Sequence, residues 1–320
     1  MVVVVSRPAV GRLAVQVRCR ACSSSAAAAA SRAMCLSSDA SATRSSDSVG
    51  AVLYYNDTYH VDLPDGHRFP MEKYRLVREM LQQRHAMDGV AFEVSPLATM
   101  DELATTHDRE YVRRYLYNEF TPRENRVVGF PWSTQSVNRS LSSVGGTVAA
   151  ARIACARLNP TAPSSGIALG PAVVGHIAGG THHAFAAHGE GFCVFSDIAV
   201  AANVCLEEHG EWLQRVLIID LDVHQGNGNA VLFEQDPRVF TFSMQCRANL
   251  FSTEQFSDRD VFVPDGTGDE GYLAGDVRIP SGFTVSFLSN HHSRLHKRLH
   301  IMLVVTLIHW SQRWGSISRA

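Results

Sequence analysis

Residues 216–229, VLIIDLDVHQGNGN, carry the groups most able to do chemistry. An apolar run reads as a buried strand, and Asp220, Asp222 and His224 follow at alternate positions before a glycine-rich loop. Side chains alternate faces along a strand, so this spacing predicts all three groups on one face. Two carboxylates and an imidazole in a dry strand are costly unless a cation or hydrogen-bond partners compensate them. Aspartate oxygen and histidine nitrogen are donors suited to zinc, so a metal is the simplest compensation. The alternative is a turn whose aspartates cap a following helix, but capping needs one carboxylate rather than three groups in register.

A second constellation, GGTHHAF at 179–185, follows a short apolar strand at 172–176. Adjacent histidines in extended chain point to opposite sides. A Gly-Gly bend can turn both His182 and His183 towards one pocket. A single histidine is more often a core residue, whereas two in succession beside a metal candidate point to catalysis.

The elements that position these groups alternate between strand and helix. Strands are predicted at 51–55, 172–176, 216–224 and 239–243. Helices are predicted from Pro70 through 84, within 95–114, over 140–158 (where Gly145 and Gly146 permit close packing) and over 198–209. Such alternation predicts a mostly parallel sheet with helices on both faces. Ligands bind beyond the carboxyl ends of its strands, where both polar motifs fall.

Bulk properties narrow the classes. A chain of 320 residues supplies one large α/β domain or two modest ones. Hydrophobic residues at 45% and charged residues at 19% describe a soluble globular protein with material for a core. A net charge of −2 argues against direct nucleic-acid binding, and no apolar run approaches the roughly 18–20 residues of a membrane span. The seven cysteines form a single CxxC, Cys19 and Cys22, with no second pair to complete a zinc site, which fits a reducing compartment. Residues 1–48 are rich in Arg, Ser and Ala and hold no acidic residue before Asp39. That is the composition of a chloroplast or mitochondrial transit peptide, expected to lie outside the fold. The alternative is a plain disordered tail, with a nuclear or cytoplasmic location.

GGTHHAF, GFCVFSDIA at 191–199 and DLDVHQGNG at 220–228, in that order, resemble the zinc-dependent histone deacetylase family of the arginase/deacetylase superfamily. HRFPMEKYRLV at 67–77, Gln225 and Asn227 in the loop, and PDGTGDEGYL at 264–273 are most similar to its class IV branch. The resemblance implies a three-layer fold over residues 49–275 and hydrolysis of the amide of acyl-lysine on a histone or another protein. It implies that Asp222 and His224 are two of three Zn2+ ligands and that Asp220 hydrogen-bonds His182. It further implies a structural K+ held by Asp220, Asp222, His224, Ser243 and Met244. His183 matches the general base, with Asn227 as its orienting partner where many relatives carry Asp. Gly191 and Phe192 match the channel that grips the acyl-lysine stem.

The chain departs from the family after Leu273. The third zinc ligand, an Asp, and a Tyr that hydrogen-bonds the oxyanion have no counterpart in residues 276–320, which contain no acidic residue after Asp276. The fold is therefore expected to be truncated at its C-terminal side, with an apolar sheet edge left unpaired. His292, His296 and His300 share a helical spacing that could donate to a metal, but accidental basic sequence in a non-native tail is the favoured explanation. Three functions compete: an impaired deacetylase, a catalytically dead binding isoform, and a binuclear ureohydrolase. The last needs a second carboxylate two residues after His224, where Gly226 stands. An acetylpolyamine would serve the first function as well as acetyl-lysine.

A reporter fused behind residues 1–50 is expected to enter an organelle. Diffuse cytosolic fluorescence would refute the transit reading.

Overall fold

The computed structural model describes residues 2–5, 51–83, 89–159, 173–250, 252–268, 271–272, 277–279, 283–285 and 301–306. In chain order these form β1 (Val2–Val5), β2 (Ala51–Tyr55), α1 (Lys73–Gln83), β3 (Val90–Val94), α2 (Met100–Ala104), α3 (Arg109–Leu116), α4 (Pro122–Val128) and α5 (Thr134–Leu158). There follow β4 (Val173–His176), α6 (Asp197–His209), β5 (Arg215–Asp220), α7 (Asn227–Phe233), β6 (Val239–Cys246) and β7 (Arg259–Val263). The last elements are β8 (Val277–Ile279), β9 (Phe283–Val285) and β10 (Ile301–Thr306). Of the described residues, 2–5, 51–267 and 301–306 belong to one compact unit, and 268, 271–272, 277–279 and 283–285 to a second. Within the second unit, β8 and β9 pair antiparallel.

The first unit is built on an eight-stranded sheet of order β3-β2-β4-β1-β10-β5-β6-β7. Every pairing is parallel except the two made by β1, which runs antiparallel to β4 and to β10. The predicted mostly parallel α/β sheet is therefore present. Its centre holds two segments expected to lie outside the deacetylase-like domain. Val2–Val5, assigned to a leader outside the fold, pair with Val173–His176 on one side and with 303–306 on the other. Ile301–Thr306, assigned to a tail foreign to the fold, lie parallel to Arg215–Asp220. Each is a run of β-branched and apolar residues, the composition that suits a pleated, buried surface. Together they pair the backbone groups of β4 and β5 that would otherwise face no partner. Among the described strands the free edges of the sheet are β3 and β7.

Local signals explain the helix boundaries. The predicted helix within 95–114 is two helices. Thr99 and Glu102 form a reciprocal cap at the start of α2, and Asp108 accepts from the Tyr111 N–H to start α3. α4, which the sequence reading passed over, is capped by Thr121 and Glu124 and stopped by Gly129 at φ 89°. β3 was also missed, because VAFEV lacks the alternation of a half-buried strand. α5 begins at Thr134, six residues before the predicted start, behind the Ser133 cap. It packs against β2, β4 and α6. A Cβ on Gly145 would stand 2.1 Å from the Pro96 carbonyl oxygen, so that close approach requires glycine.

Val304 lies opposite Val4 and Ile218 in the middle of the sheet. Val304→Pro removes a ladder donor there, leaves its carbonyl partner unsatisfied and is expected to cost about 1–3 kcal/mol, read as a lower midpoint in chemical denaturation. An unchanged midpoint would show that β10 is not part of the cooperative core.

Candidate active site

β5 ends at Asp220, so Asp222 and His224 lie in the loop beyond the strand instead of on its face. Side-chain bonding to the backbone explains the early stop. Asp220 Oδ1 accepts from the Asp222 N–H at 3.0 Å, and Asp222 Oδ1 accepts from the His224 N–H at 2.8 Å. These local bonds compete with ladder pairing and fold the segment into a tight turn. Gly226 is required within it, since a Cβ there would meet Asp220 Oδ2 at 2.4 Å. Gly228 allows the loop to lie against 182–184, because its N–H donates to the His182 carbonyl at 3.0 Å.

His182 and His183 arrive from the other side. Gly180 adopts φ 99°, a conformation glycine tolerates, while Gly179 does not share it, so one glycine makes the predicted bend. The bend is held by Asp197, the first residue of α6. Its carboxylate accepts from the Gly180 N–H at 3.0 Å, from the Thr181 N–H at 2.6 Å and from the Thr181 hydroxyl at 2.6 Å. The result places the two imidazoles side by side, ring centroids 3.9 Å apart, with both residues buried.

Each ring has its own acceptor. His182 Nδ1 lies 2.5 Å from Asp220 Oδ2, and His183 Nδ1 lies 2.7 Å from Asn227 Oδ1. The consequences diverge. Burial alone would lower the His182 pKa, but the charges of Asp220 and Asp222 outweigh it and carry the ring to about 9. His183 is held well below its ordinary value, first by burial and then by the charge on His182, which the Asn227 hydrogen bond and the charge of Asp222 only partly oppose. At neutral pH one ring of the pair is therefore cationic and the other neutral.

Asp222 and His224 share a close contact, with Nδ1 3.1 Å from Asp222 Oδ1, and His182 Nε2 lies 4.0 Å from Asp222 Oδ2. Burial opposes ionisation of Asp222. The charge of His182 and the bonds from His224 more than offset it, so the carboxyl is held well below the usual range. His224 is 42% exposed at its side chain. Among the described residues no group of three histidine, cysteine or acidic side chains converges as a metal site. Among the described residues, Asp222 and His224 offer the oxygen and nitrogen donors that zinc takes, one fewer than a catalytic site uses. His292, His296 and His300 lie outside the described residues.

Ser243 sits opposite Asp220 in the β5–β6 register, with its hydroxyl accepting from the Gly226 N–H at 3.2 Å, and Met244 follows it, buried. Gly191 and Phe192 both have positive φ, 56° and 66°. The Phe192 N–H is anchored on the Val128 carbonyl at 2.8 Å. Its ring joins Phe69 and Phe130 with centroids 5.1 Å and 5.3 Å away, and His67 lies at the edge. The two histidine–acceptor pairs are thus in direct contact beyond the carboxyl end of β5.

Sequence reasoning missed four supporting groups. Asp197 anchors the bend. Glu190 accepts from the Asn227 amide at 2.6 Å. His176 is fully buried between Ser95 and Thr147, each at 3.0 Å, and His107 bridges the Phe185 carbonyl and the Ser196 N–H, both at 2.9 Å. Asp197 lay inside a quoted motif, and its position after Ser196 at a helix start was the available signal. Nothing local marks His107, whose partners are 78 and 89 residues away.

The Histone deacetylase domain family matches residues 67–273. The chain belongs to that family. It is 39% identical over 225 residues to an uncharacterized protein of Picosynechococcus sp. (strain ATCC 27264 / PCC 7002 / PR-6), covering 70% of each chain. Acetoin utilization protein AcuC of Staphylococcus aureus is 28% identical over 61% of this chain and 48% of its own, so the chain spans about half the length of that relative. Histone deacetylase 10, chloroplastic, of Oryza sativa subsp. japonica is 34% identical over 154 residues, 46% of this chain and 32% of its own. The fold matches a solved HDAC homolog from Aquifex aeolicus with a TM-score of 0.53 at 22% identity, covering 70% of this chain and 62% of that one. The HDA15 HD domain matches with a TM-score of 0.52 at 19% identity, covering 68% and 62%.

His107 gives a pH prediction. Burial pushes its pKa down to about 4 from 6.5, so the folded protein holds it neutral. A depressed histidine contributes stability above its unfolded pKa and loses it as pH falls from 6.5 towards 4. The expected loss between pH 7 and pH 5 is about 2 kcal/mol from this residue, read by denaturant titration at the two pH values. His107→Gln is expected to lower stability at pH 7 and to flatten that dependence. An unflattened slope would assign the acid sensitivity to other groups.

Proposed function

We propose that the chain is a zinc-dependent protein-lysine deacetylase, a hydrolase of the acyl-lysine amide, whose turnover is impaired by an incomplete site. The observation that carries this is the contact pair of buried histidines, one held on a carboxylate and one on a carboxamide. Family membership makes amide hydrolysis the natural chemistry, and the motifs are most similar to those of the class IV branch. Zn2+ would be held by Asp222 and His224, and when bound it supplies a Lewis acid that polarises the amide carbonyl and acidifies water. K+ would be held by Asp220, Asp222, His224, Ser243 and Met244.

The residues of the chain divide the remaining work. His183 is neutral and donates its Nδ1–H to Asn227, which leaves Nε2 as the nitrogen that takes a proton from water and returns it to the departing amine. His182, fixed by Asp220, presents positive charge where negative charge develops on the acyl oxygen. Gly191 and Phe192, backed by Phe69 and Phe130, sheath an aliphatic stem and exclude water. The substrate is an acylated lysine of a histone or another protein. The chloroplastic relative in rice favours a plastid.

With the zinc-bound protein and an acetyl-lysine peptide, slow zinc-dependent release of acetate is expected. His183→Ala abolishes it, and Asp220→Asn lowers it by about 10–100-fold while the zinc content stays the same. The missing third donor favours a second reading, a binding isoform without turnover. Peptide binding with no release above the His183→Ala background would establish that reading in place of the first.

A further inference from the structure

We propose that Glu190 is a positioning residue that makes a neutral Asn227 do the orienting work of a carboxylate on His183; this rests on His183 acting as the proton acceptor. Asn227 offers two chemically opposite ends, an oxygen that accepts and an NH2 that donates. Facing His183 with the NH2 would force the Nε2–H tautomer and remove the nitrogen needed to take a proton. Three contacts fix the amide the other way. Its Nδ2 donates to Glu190 Oε1 at 2.6 Å, while its Oδ1 accepts from the Gly228 N–H at 3.0 Å and lies 2.7 Å from His183 Nδ1.

Glu190 can serve this role because a carboxylate only accepts hydrogen bonds. Its second oxygen takes the Ser252 hydroxyl at 3.1 Å, so both oxygens are occupied and the side chain is pinned between two loops. Its backbone is fixed as well, in an antiparallel bridge with Cys193 next to the positive-φ pair Gly191 and Phe192. A charged acceptor on one end of an amide also polarises the other end, strengthening Oδ1 towards His183. The chain His183–Asn227–Glu190 thus places a negative charge two hydrogen bonds from the ring. The imidazole keeps a defined tautomer without a carboxylate at its own nitrogen.

The test is the tautomer of His183, read from imidazole 15N shifts in the full chain without added metal, so that it does not depend on turnover. The wild type and Ser252→Ala are expected to show the Nδ1–H tautomer alone. Glu190→Ala is expected to lose that single state as the Asn227 amide flips. Adding Asn227→Asp, whose carboxylate accepts in either orientation, is expected to return a proton to Nδ1 in every molecule, as the Nδ1–H tautomer or the imidazolium. A single Nδ1–H tautomer in Glu190→Ala, or an Nε2–H tautomer in the double variant, would overturn the proposal. In either case the His183→Ala comparison of acetate release stands separately, since it asks about turnover and not about the ring's proton.

Discussion

Two imidazoles buried in contact cannot both carry charge, and neither can be left without a partner for Nδ1. That constraint organises the site. One ring is given a carboxylate, Asp220 at the tip of β5, and the other an amide, Asn227 at the start of α7. The difference between those acceptors sends the two rings to opposite protonation states. Both acceptors come from one turn, and both histidines from one bend. Relative placement of turn and bend therefore matters more than any single bond within them.

The placement rests on polar groups sealed in the core. Asp197 reads the bend through two backbone N–H groups and also accepts from Thr147, which in turn contacts His176. Through that chain the bend, α5 and the end of β4 are connected by hydrogen bonds in a dry region where each is strong and each omission costly. His107 ties the same bend to the start of α6 from a second direction. The site is thus held from several sides by elements that have no contact with a substrate.

Much of this was readable in the sequence because the information was local. The apolar run before Asp220, the paired histidines after two glycines and the serine and threonine caps all act within a few residues. What was not readable depended on long-range pairing. The strand was expected to run through His224, yet two aspartate side chains captured the next backbone N–H groups and ended it at Asp220. Glu190 gave no signal in sequence, because its partners Asn227 and Ser252 are 37 and 62 residues away. The two apolar segments at 2–5 and 301–306 resembled ordinary leader and tail. Only the vacant position between β4 and β5 gives them a role, and that vacancy is a property of the sheet.

The same pairing sets an order on assembly. Backbone pairing between the β3-β2-β4 half of the sheet and the β5-β6-β7 half passes through β1 and β10 alone. Val2 is matched with Thr306 across almost the whole chain, so the centre of the sheet cannot close on the ribosome until residues beyond 300 have emerged. Until then each half carries an open inner edge. Contacts of such sequence separation also close slowly, because a long loop must be ordered before they form. A nascent chain of this protein is therefore most exposed to aggregation late in synthesis, and its demand for chaperones is set by the middle of its sheet.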